Sequence, residues 1–224
     1  MKKRWIALAA AAAMLLGGIL PVQAADGTTE TLVPTNALYI RTGSYVDTEY
    51  SGKSLVNDLR KGYTNDSNGW GRIPYLRFDL TDVMDKLEEL EKITLRLSTT
   101  KDTETKNGTN LGERNFKIYL MSQAAEQWWS DSAKKTWTTA ETAGLSCNTD
   151  TLLTNTTVTL AANTTIESGD MLAGIKAYLA ANPSETAVTL MYELSGTYNL
   201  SICSGLDAAD NLKPALTFTY RVSD

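Results

Sequence analysis

Gly71-Arg72-Ile73-Pro74-Tyr75-Leu76-Arg77-Phe78-Asp79-Leu80 is the stretch whose reading decides the fold. From Tyr75 onward it alternates, with Leu76, Phe78 and Leu80 on one parity and Tyr75, Arg77 and Asp79 on the other. Successive side chains of a β-strand point to opposite faces. The pattern therefore predicts a strand whose apolar face packs on a core, while its other face carries a ring, a cation and a carboxylate toward solvent.

The same period recurs outward from this stretch. Asn36 to Arg41 and Ser54 to Asn57 precede it. Ile93, Leu95 and Leu97, then Phe116, Ile118 and Leu120, alternate with polar residues after it. Further strands are expected within Thr151 to Leu160, at Val188, Leu190, Tyr192 and Leu194, and at Leu216, Phe218, Tyr220 and Val222. Two segments break the period. Val83, Leu87 and Leu90 predict a short amphipathic helix over 82–92, and Met171, Leu172, Ile175, Tyr178 and Leu179 predict a better one over 168–182, stopped by Asn182-Pro183. Many short alternating strands with one or two short helices imply an all-β protein, an antiparallel β-sandwich of jelly-roll type.

The N-terminus has a different composition. Lys2, Lys3 and Arg4 precede an apolar run from Trp5 to about Leu20, followed by Pro21-Val22-Gln23-Ala24. This is the pattern of a secretory signal peptide over 1–24; the run is short for an uncleaved membrane anchor. A polar leader, 25–35, and a single sandwich domain, 36–224, are expected to follow. The mature chain is then secreted, extracellular or held at a cell surface, with no membrane insertion after cleavage, and the Met-Lys-Lys-Arg start has a bacterial look. Removing the three leader cations takes the formal charge from −5 to −8, which disfavours nucleic acid and anionic lipid as partners.

Two cysteines, Cys147 and Cys203, would meet an oxidising compartment. They form either a disulfide or two separately buried thiols. The chain has no histidine, so Ser-His-Asp and Cys-His arrangements and His-ligated zinc are excluded. Paired carboxylates for glycoside hydrolysis, or a Tyr-Lys lyase, are compatible with the composition, but no motif marks either. The expectation is no enzyme and no cofactor. A structural calcium ion held by loop carbonyls and Asp47, Asp66 or Asp207 is compatible with the composition, without a recognisable loop signature.

Two groups of residues could bind a ligand. If the strands containing Tyr75, Arg96 and Lys117 are neighbours, Tyr75, Arg77, Arg96, Lys117 and Tyr119 share a flat outer face with three cations and two rings. Sugar rings stack on aromatic faces, and guanidinium groups pair with sugar carboxylates. The alternative is an ordinary solvated sheet face with cross-strand pairs. The second group lies in the Gly-, Ser-, Asp- and Asn-rich segment 45–70 and just beyond it: Lys53, Asn57, Arg60, Trp70 and Arg72. Trp70, between two glycines, either serves a ligand or covers the rim of the sandwich. Trp129 and Trp137 read as packing residues.

The order of Asn36 to Arg41, Glu49-Tyr50-Ser51-Gly52, the Tyr75 to Leu80 strand, Ile93-Thr94-Leu95-Arg96-Leu97, Trp129-Ser130-Asp131 with Thr136-Trp137, and Lys213-Pro214-Ala215-Leu216 before Tyr220 resembles the DNRLRE-type, disaggregatase-related domain, also classed as carbohydrate-binding module family 96. The resemblance covers nearly all of the mature chain. It implies a jelly-roll sandwich of the kind found beside secreted polysaccharide-degrading enzymes, with acidic glycans bound by basic side chains in some members. The chain departs from the family at Asn36 and at Ser204-Gly205-Leu206-Asp207, so no contact is carried over there. The resulting expectation is a secreted, non-catalytic carbohydrate-binding module for an extracellular polysaccharide, acidic ones included. The alternative is a structural or adhesive surface protein that associates with itself or with a cell-wall partner.

Overall fold

The computed structural model describes residues 20–24, 27–52, 54–58, 65, 67–100, 112–145, 151–195 and 201–222. Among the described residues, thirteen strands form two principal antiparallel sheets and one small one, an all-β sandwich. The first sheet takes β1 (Leu20–Ala24), β2 (Gly27–Leu32), β13 (Ala215–Tyr220), β7 (Leu90–Ser98) and β10 (Thr165–Glu167) in that spatial order. The second takes β4 (Tyr50–Ser51), β3 (Asn36–Arg41), β6 (Arg72–Asp79), β11 (Ala187–Ser195), β8 (Gly112–Leu120) and β9 (Leu152–Leu160). β12 (Ser201–Ser204) pairs with β5 (Ser54–Asn57) to close one end.

The alternation of the opening stretch places Leu76 and Phe78 in the core between the sheets, where they meet Ile93, Leu95, Leu97, Phe116, Ile118, Leu190, Leu216 and Phe218. Each fully buried side chain of this size contributes roughly 1.5–3 kcal/mol relative to exposure. Strand β6 ends where Asp79 turns back, its carboxylate accepting from the Thr81 amide at 3.0 Å and the Thr81 hydroxyl at 2.6 Å. A 3-10 helix, Thr81–Glu89, follows where the sequence predicts a short amphipathic helix. The helix carries the chain across to the first sheet, so β7 lies opposite β6 and not beside it.

The described residues also form three short α-helices: α1 (Ala124–Ser130), α2 (Trp137–Thr142) and α3 (Leu172–Ala181). The third matches its predicted span and closes the main core with Met171, Ile175 and Leu179. The first two were not foreseen. Thr136 caps α2 with a reciprocal pair of hydrogen bonds to Thr139, satisfying otherwise orphaned amides at the helix start. Together α1 and α2 lie on the outer face of the second sheet and enclose a second apolar cluster: Leu38, Ile40, Ile73, Tyr75, Tyr119 and Met191 from the sheet, Trp128, Trp137, Ala140 and Leu145 from the helical layer. None of the described helices is long and apolar enough to cross a membrane.

One further expectation changes. The segment read as a polar leader contains β2, whose residues 29–32 pair with β13, so the folded unit begins before residue 36. Alternation is hidden there because Thr28, Thr29, Glu30 and Thr31 are all polar, as suits a strand outside the main core. Expected cleavage after Ala24 would remove one edge strand, β1, and leave the rest of the sheet paired.

Candidate functional site

The outer face of β6 is the first place to test the predicted cationic surface. Tyr75 is fully buried: its hydroxyl donates to the Leu145 carbonyl at 3.1 Å, and its ring meets Trp128 edge-on at 5.6 Å. Arg77 is held from two sides. Its Nε donates to Glu126 Oε2 at 2.7 Å and its Nη1 to Thr35 Oγ1 at 3.1 Å. Glu126 also accepts from the Thr189 hydroxyl at 3.1 Å, which in turn accepts from Trp129 Nε1 at 2.9 Å. Arg77, Glu126, Thr189 and Trp129 thus form one network that fastens α1 to the sheet.

The other members of that predicted face are dispersed. β11 lies between β6 and β8, so Lys117 meets Glu193 at 3.3 Å, and the buried Tyr119 hydroxyl donates to the same carboxylate at 3.2 Å. Arg96 belongs to the opposite sheet, paired in register with Ala215 and Glu167, and cannot join Arg77. Its Nε is buried without a hydrogen-bond partner. Tyr75, Arg77, Arg96, Lys117 and Tyr119 therefore do not make a shared solvent face. The physical reason is twofold: a helical layer covers β6, and the 3-10 crossing separates β7 from its sequence neighbours.

Of the loop candidates, Lys53 and Arg60 lie outside the described residues, as do Asp66 and Cys147. Asn57 is a structural rung, its amide donating to the Tyr192 carbonyl at 3.2 Å and accepting from the Leu194 amide at 3.1 Å. Arg72 is half-buried and bound to the fully buried Asp58 carboxylate at 2.9 Å. Trp70 is different, with 40% of its surface exposed. Tyr45, which the sequence reading did not single out, is exposed to 39%.

The segments that carry these two rings meet at Thr42, Gly69 and Gly71. Thr42 and Gly71 exchange backbone and hydroxyl hydrogen bonds, clamping the end of β3 to the start of β6. Gly69 has a positive φ of 67°, and a Cβ there would sit 3.0 Å from the Tyr45 ring, so the ring lies on the residue preceding Trp70. Arg41 binds both sides: its Nε donates to the Gly69 carbonyl at 3.0 Å, and its guanidinium carbon stands 3.5 Å from the Tyr45 ring centroid. A second ring pair, Tyr39 and Tyr50, stacks at 4.6 Å across β3 and β4. Burial, with Tyr50 as the next cause, raises the Tyr39 pKa, while Arg72 and Arg41 act against the shift.

Near the other end of β3 an open groove of about 430 Å³ runs between β4 and the α1–α2 connection, with Trp129, Lys134, Lys135, Glu49 and Asp207 among its walls. Another, of about 470 Å³, lies beside Trp128, Gln127 and Asp131. Among the described residues no group of three or more acidic, Cys or His side chains is gathered as a metal site. Asp47 instead accepts from the Thr138 hydroxyl at 2.7 Å, and Asp207 packs against Gly52. Cys203 is a free thiol buried in the core, so the Cys147–Cys203 disulfide that one reading allowed is not formed, and its burial beside apolar residues is what leaves it a small packing side chain. No family model matches the chain, and no curated protein matches it.

Proposed function

We propose that this protein binds an extracellular polysaccharide without transforming it, through the rim formed by Arg41, Tyr45 and Trp70. The observation that carries the reading is the presence of two exposed rings, Tyr45 and Trp70, on adjoining loops, with the Arg41 guanidinium stacked on Tyr45 and bonded to the carbonyl of Gly69, the residue before Trp70. Aromatic faces take the apolar faces of sugar rings, and a guanidinium supplies directed donors to hydroxyls or carboxylates. Rings fastened by Gly69, Gly71 and Thr42 lose little freedom on binding, which reduces the entropic cost of association. Affinity for an acidic glycan would fall with added salt, because exposed charge pairs are screened.

The site differs from the strand face expected at the outset, while the substrate class stays the same. Affinity electrophoresis through gels containing single polysaccharides, neutral and acidic, tests it. Retardation should appear in at least one gel and be lost in Trp70→Ala and Tyr45→Ala proteins that keep their far-ultraviolet dichroism. Equal retardation in the substituted proteins would remove the rim as the binding site.

A further inference from the structure

The second sheet has a long open edge. β9 is its terminal strand, paired along one side with β8 and, among the described residues, with no strand on the other. Each edge strand presents outward-pointing N–H and C=O groups that another strand can pair with. Proteins ordinarily blunt such edges with shortness, charge, proline or a bulge. The remaining edges of the two principal sheets are shorter: two residues in β4, three in β10, and five in β1 or, after the expected cleavage at Ala24, six in β2, which carries the charge of Glu30. β9 runs for nine residues, Leu-Leu-Thr-Asn-Thr-Thr-Val-Thr-Leu, with no charge, no proline and no glycine. Its register against β8 shifts only near its start, between Leu152 and Thr154, and is regular from there to Leu160.

We infer that β9 pairs antiparallel with β9 of a second copy of this chain, joining two six-stranded sheets into one. A two-fold axis through the strand midpoint, Thr156, sets Asn155 opposite Thr157 and Thr154 opposite Val158, both within the regular part of the strand. Partners then share parity. The exposed pair Asn155 and Thr157 faces its own copy on one side; on the other, Thr154, Thr156 and Val158 do so, with Thr154 and Thr156 also lying against Gly169 of their own chain. The chain as a whole is acidic, so two copies repel in general. β9 itself carries no charged residue, so pairing two copies along it brings no like charges directly opposite each other. A nine-residue edge is small beside the roughly 1,600 Å² of a standard interface, so the pair should dissociate on dilution.

Sedimentation analysis over a dilution series tests the pairing. One variant carries Asn155→Lys with Thr157→Lys; a second carries Asn155→Glu with Thr157→Glu. Both positions are exposed, and each double substitution sets like charges directly across the axis, which is destabilising. The unsubstituted protein should reach twice the mass of either variant at the concentrated end of the series. Mixing the two variants should restore the doubled mass, because cations on one copy would then face carboxylates on the other. Monomers throughout the unsubstituted series, a doubled mass that survives in either variant alone, or a mixture that stays monomeric would each overturn the inference.

Discussion

Arg77 Nε donates to Glu126 Oε2 across 2.7 Å and so joins the central strand of the second sheet to the helix that covers it. Both side chains are mostly buried, and Glu126 is further held by Thr189. Hydrogen bonds to charged groups contribute about 1.5–3 kcal/mol. Replacing Arg77 with alanine should therefore lower unfolding stability by roughly 2 kcal/mol, measured by urea denaturation, and leave polysaccharide retention unchanged. A variant with full stability and weakened retention would return Arg77 to the binding role that its strand pattern first implied.

This residue shows what alternation can and cannot say. The period places Tyr75 and Arg77 opposite Leu76 and Phe78, as observed, but carries no information about what lies on the second face. The covering helices have seven and six residues, too short for a helical period to emerge, and their strongest signal is the Thr136–Thr139 capping pair. Likewise Ile93, Leu95 and Leu97 announce a strand without saying which sheet receives it. The 3-10 crossing after Asp79 decides that, and it depends on a local hydrogen bond. Trp70 was legible because glycines flank it, whereas Tyr45 depends on a fold that brings residue 69 beneath its ring.

Arg41 offers a finer test of the rim. Its guanidinium stacks on Tyr45 while its Nε bonds the Gly69 carbonyl, a geometry that a lysine ammonium cannot reproduce. Cation–aromatic contacts at exposed sites are worth about 0.5–1 kcal/mol. Arg41→Lys, which preserves charge, should then weaken polysaccharide binding by about two- to five-fold if the stacked geometry matters. Isothermal titration with the best ligand from the gel panel reads this directly; an affinity equal to that of the parent protein would show that charge alone suffices.

Burial pushes the Cys203 thiol up to about 12, against an ordinary value near 9, although its hydrogen bond with Tyr192 acts the other way. The folded state therefore keeps its proton where the unfolded chain gives it up. The contribution of the neutral thiol is fully present below about pH 9, declines as pH rises, and is lost by about pH 12, with at most ~4 kcal/mol involved. Tyr178, raised to about 12 mainly by burial, and the buried Tyr192 act in the same direction. Melting temperature should be flat from neutral pH to about 9 and fall beyond it, less steeply in Cys203→Ala. A thiol that reacts rapidly with iodoacetamide in the folded protein at about pH 8 would contradict this burial.

Gly71 ties the scaffold to the rim. A Cβ at this position would stand 2.7 Å from Thr42 Cγ2 and 3.1 Å from its hydroxyl, closer than side-chain atoms tolerate. Thr42 cannot easily yield, because its hydroxyl accepts from the Gly71 amide at 2.9 Å and its own amide donates to the Gly71 carbonyl at 3.0 Å. Gly71→Ala should cost roughly 1–3 kcal/mol of stability, in the range of overpacking substitutions. The strain falls on the backbone directly after Trp70, so retention by polysaccharide should drop as well, even at temperatures where the variant is fully folded. Pairing Gly71→Ala with Thr42→Ser removes the methyl group that meets the new Cβ while preserving the hydroxyl, and should recover part of both losses. If stability recovers and retention does not, the placement of Trp70 depends on Thr42 through more than this contact.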